Sequence, residues 1–201
     1  SNVNLGPGPA DEVRSSFILK LWNSYSFFCN YARLDRFDPA SPPAPKSDMD
    51  RWLLSHLQRL VARARKAFSE YDVAAFCKEA EAFVDERLSN WYVRRNKKRF
   101  QKPEDDADKQ AAYQTLHSVL LTLARLCAPV IPFLTEAMYQ NLAVNAYPKG
   151  SVPASVHLCE YPQADESQVD AKLLEEMDAL LDLVSQGSAA RNLCKIKVRQ
   201  P

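Results

Sequence analysis

The sequence predicts an all-α fold: an up-and-down bundle of five or six helices with a short extended stub at its C-terminus. Three observations carry that reading. Apolar residues recur at three- and four-residue spacings along most of the 201 residues. Glycine is rare, four residues, while thirteen prolines cluster between the periodic stretches, as expected of long helices with proline-marked joints. Strand-like alternation is confined to short pieces near Ser155–Leu158 and Ile196–Val198. With 46% hydrophobic residues the chain can build a core. Residues 1–9 read as a flexible linker or tag scar, 10–190 as the helical domain, and 191–201 as the start of a following region.

The first helix begins near Asp11 and buries Ile18, Leu21, Trp22, Tyr25, Phe28, Cys29 and Ala32. Asp38-Pro39 stops it, and Pro39 to Pro45 forms a semi-rigid connector. Ser47 and Asp50 make a capping-box-like pair for the second helix, whose buried face is Leu53, Leu57, Leu60, Val61, Ala64 and Phe68. Asp72 caps the third, with Tyr71 and Phe76 spaced as a hydrophobic staple; this helix runs to near Phe100, and Lys102-Pro103 breaks it. Tyr113, Leu116, Leu120, Leu123 and Cys127 form the seam of a fourth, central helix opened by Glu104, Asp105 and Asp106. A fifth starts at Pro132 with Phe133, Ala137, Met138 and Leu142 inward. The sixth, Gln168 to Ala190, uses Leu173, Met177, Leu180, Leu181 and Val184. Trp22, Asn23 and Trp52 read as packing groups, two aromatic anchors and a buried amide.

Composition excludes several classes of function. Five cysteines without a CxxC pair, and three scattered histidines, give no zinc spacing; the free thiols suit a reducing compartment, and a cytoplasmic location follows. The most apolar run, Val119 to Leu134, is broken by Arg125, Pro129 and Pro132, so no membrane span is expected. Phosphate-cradling glycine loops, HExxH and GxSxG are absent, so no catalytic residue is assigned and a binding module is expected.

Net charge is only +1, yet from Arg87 to Lys102 there are seven Lys/Arg and no Asp or Glu. Turning about 100° per residue from Val84, the apolar line through Val73, Cys77, Leu88 and Trp91 is continued by Arg95, flanked by Lys98 and Arg99. A solvated helix end, a localisation signal or calmodulin-type target, and a nucleic-acid contact all fit such a run. Trp91 and Tyr92 placed just before it favour single-stranded RNA, where bases stack on rings and cations hold phosphates.

Four motifs resemble one family. LKLWNSYSFFCNYA (19–32), DRWLLSHLQRL (50–60), SNWYVRRNKKRF (89–100) and LCAPVIPFLTEAMYQNL (126–142) are similar to the successive helices of the anticodon-binding domain of class I aminoacyl-tRNA synthetases of the isoleucine, valine and leucine group. The NWYVRR form, SVHL at 155–158 and the KIKVRQP ending look most like its isoleucine members; valine members usually carry an acid where Arg94 and Arg95 stand. Many relatives carry Trp where this chain has Gln101.

The resemblance implies a helical domain that holds the anticodon stem and loop of a tRNA, probed through Asn30, Arg33, Arg36, Trp91, Arg94, Arg95, Lys98 and Arg99. It implies no cofactor for this stretch. ATP with magnesium would serve a catalytic domain elsewhere in the same chain, whose HIGH and KMSKS motifs are absent here. A monomer is expected. The rival reading is a helical adapter for an acidic protein.

Overall fold

Capping and helical periodicity produce six helices in the computed structural model, which describes residues 6–42, 44 and 46–195. They are α1 (residues 7–34), α2 (Asp48–Ser69), α3 (residues 73–101), α4 (Asp106–Cys127), α5 (residues 132–144) and α6 (Ala171–Leu193). Two single 3₁₀ turns, Val156–Leu158 and Glu166–Gln168, interrupt the stretch before α6. No strand occurs among the described residues. The alternation at Ile196–Val198 lies outside them.

The starts of α2 and α3 follow the predicted caps, while α6 starts at Ala171 rather than at Gln168. Ser47 Oγ accepts from the Asp50 N–H at 3.3 Å while Asp50 accepts from the Ser47 N–H at 3.0 Å, a complete capping box. Asp72, Asp105 and Asp170 cap α3, α4 and α6 through their carboxylates. α1 starts at Pro7, ahead of Asp11, because a proline at the first turn gives up no intrahelical bond.

Side-chain pairs fix the directions. Lys20 meets Asp85 at 2.6 Å, and Gln101 Nε2 donates to the Tyr31 hydroxyl at 2.8 Å, so α1 and α3 run parallel. Arg63 with Glu79, and Arg99 with Asp50, make α2 and α3 antiparallel. The ends of α1 and α3 and the starts of α2 and α4 therefore meet at one end of the bundle. α4 is the central helix as expected, with Leu116, Val119, Leu120 and Leu123 fully enclosed.

The structure corrects several packing expectations. Tyr71 is 93% exposed and forms no staple: it takes the left-handed position (φ 58°) of a Schellman turn, in which Asp72 N–H bonds Ala67 C=O and Tyr71 N–H bonds Phe68 C=O. Phe76 packs on Phe68 instead, ring centroids 5.0 Å apart. Trp52 is buried, but Trp22 and Asn23 face outward on α1. On α5 the inward groups are Thr135, Met138, Tyr139 and Leu142, while Phe133 and Ala137 point out. Ser155–Leu158 curls into a 3₁₀ turn because Glu136 accepts from both Ser155 Oγ and the Val156 N–H at 2.9 Å. On α6 only Leu173 and Leu174 are buried; Leu180 and Val184 are exposed.

Candidate nucleic-acid interface

Within α3 the hydrogen-bond ladder widens to i→i+5 over Phe83–Val93 and returns to i→i+4 at Arg94. The wider turn holds more residues, so the regular 100° wheel loses phase. The buried row runs Val84, Leu88, Tyr92, Asn96 and Phe100, and Val73 is exposed. Trp91 is half-buried at the edge of this row, and Arg95 stands outside it.

The cations of the run then divide. Arg99 is turned inward: its side chain is 13% exposed and its guanidinium bonds the fully buried Asp50 at 2.8 Å and Asp108 at 2.6 Å. Tyr92 donates to Asp50 at 2.6 Å, and Asn96 Oδ1 accepts from Arg99 at 3.2 Å. The clasp ties α2, α3 and α4 together. Arg99 was expected to touch RNA; it is a structural group, because its donors are consumed by internal carboxylates. Arg94, Arg95, Lys97, Lys98 and Lys102 are exposed, and none is within 4.0 Å of a carboxylate among the described residues.

α1 delivers a second group. Its end is a Schellman turn: Phe37 N–H bonds Ala32 C=O at 2.8 Å and Arg36 N–H bonds Arg33 C=O at 3.4 Å. Arg36 occupies the left-handed position (φ 53°), where glycine would avoid about 1–2 kcal/mol of Cβ crowding. A cation is held out at that cost. Asp35 beside it is paired, accepting from Lys109 at 2.7 Å and from the Tyr113 hydroxyl. Asn30 and Arg33 are exposed. Lys20, Phe27 and Tyr31 mark the side of α1 that meets α3. Asn30 lies next round from that side and Arg33 farther, at about 100° per residue, so Arg33 does not join the α3 row.

Lys97 and Lys102, counted in the basic run but not among the expected RNA contacts, also stand on the open surface, Lys97 facing water as its place on the wheel implied. Lys97 lies one turn before Gln101, which bonds α1. Gln101 itself joins the ends of α1 and α3, a role its sequence position did not suggest.

Electrostatics supports this division. Burial raises the Asp50 carboxyl, but Arg99, Tyr92 and Ser47 outweigh it and hold it below the usual carboxylate range. At Asp35 burial is likewise outweighed, by Lys109 and Tyr113. On α2, His56 is driven down to about 4 by burial and then by the charges of Arg87, Arg59 and Arg63. Acid should therefore lower the stability of the domain over two pH windows. His56 is neutral when folded, so its contribution is complete above an unfolded value of about 6.5 and is lost as pH falls toward about 4. Asp50 and Asp35, with depressed folded values, contribute fully above about pH 4 and lose that contribution below it. Thermal melts by circular dichroism between pH 7 and 2.5 should show both declines, and His56→Phe should shrink the first without abolishing it, because burial also holds the His117 imidazole below its usual value.

Among the described residues no cluster of His, Cys, Asp or Glu could hold a metal, and no helix is long and apolar enough to cross a membrane. The interface can neutralise phosphates and stack on planar groups; it offers no converging nucleophile and base.

Residues 50–201 match a family model described as the anticodon-binding domain of tRNA ligase. The isoleucine–tRNA ligase of Thermus thermophilus is 43% identical over 198 residues, 98% of this chain and 19% of that protein. That of Dehalococcoides mccartyi is 45% identical over 192 residues, 94% of this chain and 19% of its own length. That of Clostridium tetani is 41% identical over 201 residues, 99% of this chain and 19% of its own. The chain spans about one fifth of the length of these curated relatives.

Proposed function

The chain belongs to the anticodon-binding domain family of tRNA ligases, and from that premise we propose that its basic end receives the anticodon stem and loop of isoleucine tRNA. The carrying observation is the row of open cations on the last turns of α3 and at the end of α1. Asp35, Asp50 and Asp108 are satisfied internally by Lys109 and Arg99, while Arg36, Arg94, Arg95, Lys97 and Lys98 stand outward without carboxylate partners among the described residues. An RNA loop presents the complementary chemistry, phosphates with unpaired bases.

The parent protein, on this reading, is a cytoplasmic isoleucine–tRNA ligase that loads the amino acid at the expense of ATP. That chemistry, with its ATP and magnesium, belongs to a catalytic region outside these 201 residues, which is also the main intramolecular partner. This stretch needs no cofactor, acts as a monomer and contributes binding alone. Arg94 and Arg95 favour the isoleucine over the valine enzyme.

Gel-shift titration tests the reading. Isoleucine tRNA should bind more tightly than the same tRNA with a replaced anticodon, and more tightly than heparin. Equal binding of all three would point instead to an adapter for acidic proteins.

A further inference from the structure

Within Arg94–Arg99 three arginines meet three situations. Arg99 is clasped by Asp50 and Asp108. Arg94 is exposed, and no side-chain partner holds it among the described residues. Arg95 is exposed as well, but its guanidinium carbon lies 4.3 Å from the centre of the Trp91 ring. Trp91 is packed on the hydrophobic core, and its indole nitrogen is buried. The fixed ring thus carries a guanidinium over one face, and Arg95 has no carboxylate within 4.0 Å among the described residues to draw it away.

This bears on how an unpaired base would be received. The sequence reading set base stacking by Trp91 itself beside its burial on the apolar line. A base seated directly on the indole would have to displace Arg95 and give up the cation–π contact. A guanidinium is planar and weakly hydrated, and it stacks on aromatic faces. Lying against Trp91, it has already lost much of the freedom a long side chain forfeits on binding.

We propose that the outer face of the Arg95 guanidinium, held against Trp91, is the platform on which one unpaired base of the anticodon loop stacks. Arg95 is then a binding residue, and Trp91 a positioning residue that acts through it. The inference rests on the anticodon-loop reading and adds to it the contact, the group contacted and the order of the layers: indole, guanidinium, base.

The test combines Arg95→Lys with abasic substitution at each position of the loop, using the 201-residue chain and a fluorescent anticodon stem-loop read by anisotropy. Lysine keeps the charge and removes the plane. Removing one base should weaken wild-type binding by about 5- to 100-fold, in line with the loss of one stacked base. Arg95→Lys should weaken binding to the intact loop by a similar factor, and in that variant the same abasic substitution should have almost no further effect. The dependence of affinity on salt should be unchanged, because the number of cations is unchanged. Trp91→Phe, which keeps an aromatic surface in the core, should give an intermediate loss with an unaltered circular dichroism spectrum.

Arg95→Lys binding within twofold of wild type, or a full abasic penalty retained in that variant, would overturn the platform while leaving the anticodon reading intact. Failure of the wild-type chain to bind the stem-loop would overturn both.

Discussion

Replacing Arg99 by alanine should destabilise the domain by about 3–5 kcal/mol, the usual cost of removing one partner from a buried ion pair. Among the described residues Asp50 would keep only Tyr92 and Ser47 as side-chain partners in a fully buried position, and Asp108 would lose a bidentate contact. The loss should appear as a lower urea midpoint. Asp108→Asn should cost less, because Asp108 is 42% exposed and water can replace part of what it loses. If Arg99 were instead a nucleic-acid contact, the alanine variant would keep its stability and lose only affinity.

Removing four outward cations together should have the opposite signature. A variant carrying Arg36→Gly, Arg94→Ala, Lys97→Ala and Lys98→Ala should bind the anticodon stem-loop roughly a hundredfold more weakly at moderate salt. The slope of log affinity against log salt should become shallower by about 3, at about 0.7 per phosphate for single-stranded contacts. Folding stability should hold or rise. These side chains are exposed and unpaired with carboxylates among the described residues, their mutual repulsion is relieved, and glycine at 36 releases a left-handed φ of 53°. Filter binding between 50 and 300 mM salt, beside a urea titration, reads both quantities. An unaltered slope would mean that RNA does not reach this surface.

Much of this fold was legible before any coordinates. Capping side chains announced the starts of α2 and α3, and the widest apolar stripe marked α4 as the centre. The motifs led to the right family. The first error has a plain physical origin, since a helical wheel carries phase only while the ladder stays regular. Beyond Phe83 it does not, so Tyr92 and Phe100 hold the core where the wheel had carried the apolar line through Trp91. Arg99 was misread for another reason. Its partners Asp50 and Asp108 lie 49 and 9 residues away, and no local spacing pairs them. Tyr71 shows a third limit: a staple depends on the angle of chain entry, which the preceding Schellman turn had already set.

The widened ladder of α3 makes the orientation of its last turns a matter of residue count. Deleting one residue between Phe83 and Val93 would rotate everything beyond it by most of a quarter turn, somewhat less than the roughly 100° of a regular helix, because the wider turn holds more residues. Phe100 would swing toward water, and one of the outward cations would be driven into the core. Length in that segment is therefore under the same constraint as side-chain identity, although no atom of it need touch the RNA.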